Sequence, residues 1–536
     1  MVSLVTLTIC FLYHGALGFA ISDEGSASTA PTIQQLKAAV NPKSTYVLVT
    51  GRDVKNDGGG GLFFWDSTET VDEDGGTIFA SSLLPKTAAG RWKRVMIDGG
   101  ALNVKWFGAR GDATPDGGNV IQRVIDLAPS GASIYIPRGS YNVSKTIVVA
   151  GKSLSIKGDG EGTRVWRANE DPLGSLGNNS ILKKMGHGTT LRVDGMKFDV
   201  QGVAISGLEF DDADPPASST YLDLVVSNCT FVGQGVGIRL IKARESFITN
   251  CKFECSTDGI YLREATNVSV SGCFFHPTVQ DVARGIRYDG DFRSPFNAGL
   301  RVVDCTFLGC AVGVDVKGIY WVEISSSVID FCDLPINLVD ADKGVVQSNF
   351  IGARRGRTTG TTYGMRITGT IDSVGHYHAH HMKVVDNVIT TYNQGSYSRV
   401  GILADNVHGL KITGNTIGFW NDHGIENYVF GEPSEDPAAS RGCQRVHIED
   451  NTILSSPPNQ GTPIRRPTSG EVTFQDGETS LEVVHGLGDA PERIFVTPQR
   501  PEACGGAPIS GSTYKARIER ESSSGKLRIF WKVEGK

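Results

Sequence analysis

The 536-residue chain is long enough for roughly two to four ordinary domains, or for one long solenoid with smaller modules. Glycine is its most frequent residue (66 positions) and aromatic residues make up only 8%, which favours short strands with tight turns over helical bundles. The net charge is −6 and no basic run stands out, so the composition argues against nucleic acid as a partner.

Residues 1–20 are mostly apolar and end in small residues before the polar sequence ISDEG. The pattern indicates a secretory signal cleaved near Ala20. The charged start of such a signal is missing, so a buried N-terminal strand and a misplaced start codon are the alternatives. No other stretch is long and apolar enough to span a bilayer. We therefore expect a secreted, extracellular protein.

A small N-terminal head segment is predicted over residues 30–100. It contains the sequence GGGGLFFWDSTETVDEDGGTIF, followed by GRWKRV, within residues 58–95. This run resembles the head segment that precedes the β-helix in phage tailspike polysaccharide depolymerases. The resemblance implies a tail protein with a glycan substrate.

Residues 101–149 indicate a loop, one helix near 118–127 and short strands. One face of the helix carries Val120, Ile121, Val124, Ile125 and Leu127. Such a helix would suit a cap over the open end of a solenoid. The motifs FGARGD, VIQRVID and PRGSYNVSKTI resemble the opening of the β-helix in the rhamnogalacturonase/epimerase-like pectate lyase superfamily, although Gly117 replaces the second acidic residue after Asp116. The resemblance implies the architecture but does not identify the reaction.

A repeat runs through the following coils. Segments of the form apolar-x-apolar-x-x-Cys/Asn-x-Phe/Ile recur, and their marker residues, here called the ladder, are Cys229, Cys251, Cys273, Cys305, Ser327, Asn349, Asn387, Asn415 and Asn451. Unbroken steps are 22 residues long, as from 229 to 251, and longer steps contain insertions. In each period a second marker, a pair such as Gly237-Ile238, begins a short strand with alternating apolar residues.

Two or three strands per ~22 residues make one coil of a parallel β-helix. The sequence therefore predicts an all-β fold: a right-handed, single-stranded parallel β-helix over residues 101–455, with the head segment before it. A Pro/Ser/Gly-rich linker (456–469) and a β-rich module (470–536) follow. The pattern HGLG…P…I-x-V-T-P in this module resembles small C-terminal modules of phage tail and fibre proteins, which implies a homotrimer.

The ladder also bears on the ten cysteines. Disulfides between its cysteines would be strained across the ~4.8 Å spacing of neighbouring strands. We therefore expect mostly free thiols as core filler, and asparagines that relay amide hydrogen bonds from coil to coil. No Cys-x-x-Cys pair with a histidine at ligand spacing indicates zinc.

Insertions predict where a substrate lies. They enlarge the loops of the third, sixth, seventh and eighth coils, whereas the coils beginning at Gly313 and Pro335 have none. These two coils should form the floor of a groove walled by loops, which is the shape that a linear polysaccharide needs.

Alternation along the Gly-Ile strands gives two columns of outward residues across the coils. The first column is Arg239, Tyr261, Arg287, Asp315, Asn337, Arg366, Leu403 and Glu426. The second is Ile241, Arg263, Asp289, Lys317, Val339, Thr368, Asp405 and Tyr428. Exposed strand faces are polar in any case, and Arg–Asp neighbours are often ordinary cross-strand pairs. These columns, however, cross the predicted groove.

The candidate catalytic residues are Asp289, Asp315 and Lys317. Asp289 and Asp315 are one coil and two residues apart, so their backbones should lie roughly 8 Å apart, within the ~6.5–9.5 Å carboxyl separation of inverting glycosidases. Lys317, with arginines nearby, could instead supply the base and cation for β-elimination of a uronate. The candidate substrate-binding residues are Arg287, Asn337, Arg366, Tyr261, Trp321 and His378, and Tyr320 beside Trp321 is a further stacking surface.

The inserted segment GHYHAHH (375–381) contains four histidines. They could bind a metal or transfer a proton, but a solvated loop explains them as well, so we select only His378 and expect no metal site. The acidic sequence DDADPP (211–216) could attract calcium, or be a solvated turn. No other cofactor is expected.

Taken together, the sequence favours a depolymerase of an extracellular, capsular or cell-wall polysaccharide, with hydrolysis slightly ahead of lyase chemistry. The alternative from another class is a non-catalytic carbohydrate-binding tail or surface protein.

Overall fold

The computed structural model describes residues 28–39, 46–96, 100–114, 117–167, 180–201, 205–211, 222–279, 282–291, 294, 297–354, 362–372, 376–391, 399–420, 423–427, 443–455, 464–465, 469–474, 480–484, 493–498, 504–508, 515–520 and 527–534. The predicted signal (1–20), most of the predicted linker and most of the acidic segment 211–216 lie outside these residues.

The head forms a compact unit of its own (Met1–Asp98 and Lys105–Gly108). Its five-stranded sheet consists of Ser28–Ala30, Tyr46–Val49, Gly61–Asp66, Ile78–Ala80 and Arg91–Arg94. Helix α1 (Ile33–Lys37) is capped by Thr32, whose hydroxyl accepts a hydrogen bond from the Gln35 amide. Leu36, Phe63 and Trp92 form the centre of the core and are fully buried.

The second unit is a stack of coils with three strand faces. The first, here called the Gly-Ile face, is a parallel sheet of twelve strands: Ile147–Ala150, Ser180–Met185, Ser206–Asp211, Val236–Ile241, Asp258–Arg263, Arg284–Asp289, Val312–Ile319, Leu334–Ala341, Thr362–Thr368, Arg399–Asp405, His423–Asn427 and Ile464–Arg465.

Two further faces complete each coil. The second face comprises Leu102–Asn103, Ser133–Tyr135, Leu224–Ser227, Arg244–Thr249, Thr266–Ser271, Leu300–Val303, Val322–Ser325, Gly344–Gln347, Ala379–Val385, Val407–Thr413 and Gln444–Glu449. The third comprises Gly139–Asn142, Thr230–Gly233, Lys252–Cys255, Phe274–Phe275, Thr306–Leu308, Val328–Cys332, Phe350–Ala353, Val388–Thr391, Thr416–Trp420 and Thr452–Ser455. Two long strands, Leu154–Arg167 and Leu191–Val200, run through both faces. The predicted parallel β-helix is confirmed.

Helix α2 (Gly117–Leu127) lies at the start of the β-helix, and a short 3-10 helix (Val104–Phe107), most of which belongs to the head unit, precedes it in the chain. In α2 the side chains of Ile121, Val124 and Ile125 are buried. Leu127 was expected on the same face, but it is 47% exposed. It is the last residue of the helix, where the apolar stripe runs out.

The ladder residues are buried between the second and third faces and hydrogen-bond from coil to coil. Oδ1 of Asn349 accepts a hydrogen bond from the Ser327 backbone amide (2.9 Å). The backbone N–H of Asn349 in turn donates to Asn387 Oδ1 (3.0 Å). The relay continues through Asn415 to Asn451. Each side chain thus satisfies a turn amide that would otherwise be buried without a partner, which costs roughly 1–3 kcal/mol.

At the cysteine end of the ladder, sulfur and hydroxyl atoms accept these hydrogen bonds in place of asparagine Oδ1 atoms. The Cys251 amide donates to the Cys273 sulfur (3.5 Å), and the Cys305 amide donates to Ser327 Oγ (3.1 Å). All eight cysteines whose side chains the structure describes are buried, and Cys229, Cys251, Cys273 and Cys305 of the ladder are free thiols, as expected from the strand spacing.

A stack of phenylalanines explains the glycine in each Gly-Ile pair. Phe231, Phe253, Phe275 and Phe307 lie face to face on successive coils, with ring centroids 4.4–5.1 Å apart. A Cβ atom on Gly259 would lie 2.8 Å from the ring of Phe275 and 2.7 Å from the Gly285 carbonyl. Only glycine leaves room for the ring at this position.

The C-terminal residues form two antiparallel three-stranded sheets. One contains Ser469–Phe474, Leu527–Glu534 and Arg493–Pro498, and the other contains Ser480–Val484, Lys515–Arg520 and Cys504–Pro508. Ile518, Ile529, Trp531 and Val533 form their buried core. Within the described part of the chain, none of the helices has the length and apolar character needed to cross a membrane.

Candidate active site

The strand register of the Gly-Ile face aligns residues of the two predicted columns across neighbouring coils, as the sequence indicated. Arg287 pairs with Asp315, and Asp315 pairs with Asn337 on the next coil. In the second column Asp289 pairs with Lys317. The candidate catalytic residues therefore lie on two neighbouring strands, Arg284–Asp289 and Val312–Ile319.

Asp315 is held from two sides. Its Oδ2 lies 3.0 Å from Nε of Arg284, and its Oδ1 accepts a 2.8 Å hydrogen bond from the Asn337 amide. The side chain is 23% exposed. The two contacts hold the Asp315 carboxylate in a fixed position between Arg284 and Asn337.

Asp289 is paired within its own strand. Its Oδ2 lies 2.6 Å from a terminal guanidinium nitrogen of Arg287, and one third of its side chain is exposed. The Arg287 guanidinium in turn lies over the ring of Tyr261, 5.2 Å from the centroid. Burial, followed by the charge of Asp289, raises the pKa of Tyr261, so its hydroxyl stays protonated. Lys317 lies beside Asp289 and is exposed.

Sequence reasoning missed a third carboxylate, Asp258. It begins the strand before Arg284–Asp289, and its Oδ1 lies 3.6 Å from the Arg284 guanidinium. Burial raises the pKa of Asp258, and the nearby charge of Asp289 adds to this, against the opposing effect of Arg284 and Arg287. The Arg284 guanidinium therefore contacts both Asp258, whose pKa is raised, and Asp315.

Asn337 and Arg366 lie side by side on neighbouring strands. Oδ1 of Asn337 and Nε of Arg366 are buried, and neither has a hydrogen-bond partner among the described residues. The Arg366 guanidinium lies over the Tyr363 ring, 5.5 Å from the centroid. A buried acceptor on Asn337, beside Asp315, and a buried donor on Arg366 therefore have no described partner.

The other predicted binding residues, Trp321 and His378, lie outside the two columns. Trp321 follows the strand Val312–Ile319 and is 36% exposed, and the ring face of its neighbour Tyr320 is covered by the Lys343 ammonium, 3.9 Å from the centroid. His378 Nδ1 lies 2.8 Å from the Thr370 hydroxyl, which donates to Asp340. These contacts occupy one face of Tyr320 and orient His378.

Two positions in the columns differ from the sequence expectation of an exposed face. Ile241 is 2% exposed and Leu403 is 8% exposed. Both are apolar side chains that the folded chain covers, in accordance with the hydrophobic effect. Between these two positions the residues of both columns are nearly all polar, and they are here called the polar stretch.

The polar stretch brings acidic, basic and aromatic side chains together. Three carboxylates alternate with three cations on successive strands, and Tyr261 and Tyr363 provide aromatic rings beside them. Burial raises the pKa of Asp258, whereas Asp289 and Asp315 are each paired with an arginine. The structure also leaves Lys317 exposed next to Asp289, with the Arg287 guanidinium bound to the same carboxylate.

Three family models match parts of the chain. They describe a phage tail protein small four-stranded beta-sheet domain (residues 29–97), a rhamnogalacturonase A/epimerase, pectate lyase-like domain (101–189) and a right handed beta helix region (175–351). No protein among the curated sequences matches the chain.

Solved structures share the fold at low sequence identity. Pre-mature gene product 12 of bacteriophage phi29 matches with a TM-score of 0.52 and 14% identity, over 68% of this chain and 52% of that chain. Tailspike protein gp49 of Acinetobacter baumannii bacteriophage Fri1, a capsular polysaccharide depolymerase, matches with a TM-score of 0.47 and 12% identity, over 94% and 97%. The A-module of the mannuronan C-5 epimerase AlgE4 from Azotobacter vinelandii matches with a TM-score of 0.44 and 17% identity, over 68% and 97%.

The family models agree with the motifs in the sequence: FGARGD and its continuation fall within the pectate lyase-like match, and GRWKRV falls within the phage tail match. The chain thus carries a right-handed parallel β-helix whose first segment matches the rhamnogalacturonase A/epimerase, pectate lyase-like model, and the segment before it matches the phage tail β-sheet domain model.

Proposed function

We propose that the protein cleaves a polysaccharide by hydrolysis on the Gly-Ile face. The observation that carries the proposal is the set of three carboxylates, Asp258, Asp289 and Asp315, interleaved with arginines on three successive strands. A linear glycan would lie across these strands, because the polar columns run from coil to coil.

The contacts suggest which catalytic role each carboxylate has. Asp315 and Asp289 are each paired with an arginine at 3.0 Å or less, so they supply the negative charge that activates water or stabilises an oxocarbenium-like transition state. Asp258 supplies the proton for the leaving oxygen, because its pKa is raised by burial. The sequence assigned both roles to Asp289 and Asp315, and the addition of Asp258 is the structural refinement of that hypothesis.

A second candidate is β-elimination on a uronate-containing glycan. It is favoured by the exposed Lys317 next to Asp289 and by the arginines that could hold the sugar carboxylate. In that reaction Lys317 would be the base, and an arginine would neutralise the substrate.

Product analysis of the full chain on a panel of acidic and neutral polysaccharides tests both candidates. Hydrolysis is expected to release reducing ends without absorbance in the unsaturated-uronate band, whereas reducing ends together with that band would show elimination. Binding to a glycan without either product, across the panel, would contradict the enzymatic proposal and leave a carbohydrate-binding protein.

The location that we propose is a virion tail, which is supported by the phage tail family model over residues 29–97. The resemblance of the C-terminal module to tail and fibre modules adds a homotrimer to the proposal. Its mass in solution would be three times the 57.4 kDa of one chain.

A further inference from the structure

A second polar cluster lies at the turn that follows the Gly-Ile face. Asp342 comes directly after the strand Leu334–Ala341, and His380 and His381 lie in the strand Ala379–Val385 of the next coil. Asp342 and His380 form a parallel bridge. Oδ1 of Asp342 is 3.9 Å from Nδ1 of His380 and 3.5 Å from Nδ1 of His381.

The backbone explains how two consecutive histidines reach the same carboxylate. In a regular strand, neighbouring side chains point to opposite faces of the sheet. His381 has a positive φ of 51°, in the left-handed region that residues other than glycine seldom adopt. The aligned residue of the following coil is Gly409, which is also left-handed (φ 74°). This local turn brings both imidazoles to the outer surface beside Asp342.

The two oxygens of Asp342 have different surroundings. Oδ2 lies 3.4 Å from the Lys343 ammonium, which itself donates to the Tyr320 hydroxyl at 2.7 Å. Oδ1 is buried and accepts no hydrogen bond from any residue that the structure describes. A buried carboxylate oxygen without a donor is costly unless something else binds it.

We propose that Asp342, His380 and His381 bind one divalent transition-metal ion, with Zn²⁺ as the ion that fits best. One ligand atom from each residue lies within 4.8 Å of the other two. At the ~2.1 Å bond length of zinc to imidazole and carboxylate, tetrahedral ligand atoms are roughly 3.4 Å apart. The two measured distances to Oδ1 are close to that value, so small side-chain rotations suffice.

The ligand set selects the class of ion. Two imidazoles and one carboxylate suit Zn²⁺, Ni²⁺ or Cu²⁺, whereas Ca²⁺ and Mg²⁺ prefer sites made of oxygen. The side chain of His381 is 63% exposed, so solvent can fill a remaining position. The ring of His408 on the next coil lies 5.9 Å from that of His380, and extends the imidazole cluster along the stack.

This site goes beyond the proposed function and does not depend on it. It would join two neighbouring coils through the histidine segment 375–381, where the sequence predicted no metal. The ion would therefore cross-link adjacent coils of the stack.

Metal titration of the full chain, stripped with chelator and free of any histidine tag, tests the site. Calorimetry with Zn²⁺ is expected to give one equivalent of binding in the micromolar range or tighter. Asp342→Asn, His380→Gln and His381→Gln should each weaken it by more than about tenfold. His376→Gln is the matched control, because His376 lies in the same histidine segment but is 76% exposed and paired with Asp372.

Co²⁺ serves as a second probe, because eight buried thiols are alternative ligands. Binding by Asp342 and the histidines should give weak visible bands without the strong near-ultraviolet absorbance of a cobalt–thiolate bond. Thiolate absorbance, equal weakening by His376→Gln, or no weakening in the three ligand variants would overturn the proposal. Circular dichroism of every variant confirms that the β-helix is intact.

Discussion

Asp315→Asn is expected to lower the rate of polysaccharide cleavage by a factor of ~10²–10⁴, the usual contribution of a positioned acid or base, while the β-helix remains folded. Asparagine keeps the shape of the side chain but removes the charge that faces Arg284 and Asn337. The ion pair with Arg284 is partly exposed, so its loss should cost the fold only about 1 kcal/mol or less. The measurement is the initial rate of reducing-end release on the polysaccharide that the panel identifies.

The control for this variant is Glu323→Gln. Glu323 pairs with Arg301 across neighbouring coils at 2.9 Å, as Asp315 pairs with Arg284, but it lies on the second face. It should retain wild-type activity. If Asp315→Asn kept more than about half of the wild-type rate, Asp315 would not be a catalytic residue and the site would have to lie elsewhere on the chain.

The pH profile provides a second readout of the same site. A general acid must be protonated, and its raised pKa keeps Asp258 protonated to a higher pH than an ordinary aspartate. Activity should therefore fall as the pH rises through that pKa. In Asp258→Asn this alkaline limb should disappear together with most of the activity, whereas Glu323→Gln should leave it in place.

The columns of the Gly-Ile face could be predicted because one physical rule generates them. Parallel strands of a β-helix stack with a constant register, so residues at equal distances from each Gly-Ile pair must align. Arg287, Asp315 and Asn337 are aligned for this reason. Insertions do not disturb the alignment, because they are accommodated in loops between the strands.

Asp258 was missed because alternation fails at the glycine. Counting back by twos from the outward-facing Tyr261 leads to Gly259, whereas Asp258 falls in line with the inward-facing Ile260. The signal was nevertheless present in the sequence. Asp258 and Arg284 each directly precede a Gly-Ile pair on successive coils, so an acidic residue is aligned with a basic one.

The histidine cluster could not be predicted for a different reason. Its convergence depends on the left-handed backbone of His381, and histidine gives no sequence signal for that conformation. The partner, Asp342, is 38 residues away from His380, across an insertion whose length hides the register. Neither the alternation of residues within a strand nor the 22-residue period predicts which side chains meet where a turn and an insertion coincide.

Asp223→Ala is expected to reduce the free energy of unfolding by about 3–5 kcal/mol, which is typical of removing one partner from a buried ion pair. Asp223 and Lys184 are both fully buried, with Nζ of Lys184 3.7 Å from Oδ1. Oδ2 accepts a hydrogen bond from the Arg244 amide (2.8 Å) and lies 2.9 Å from Nδ1 of His187. The variant would leave the buried ammonium without this counter-charge.

The expected loss of stability depends on the burial of the ion pair, so a partly exposed ion pair serves as the control. Arg164 and Asp199 lie 2.6 Å apart on nearby coils, but the arginine is 36% exposed, so Asp199→Ala should cost only about 1 kcal/mol or less. Denaturation in urea, followed by circular dichroism, compares the two variants. The double variant Asp223→Leu/Lys184→Met removes both charges and should recover most of the loss. If it were no more stable than Asp223→Ala, the lost packing and hydrogen bonds of Asp223, rather than the uncompensated charge of Lys184, would account for the destabilisation.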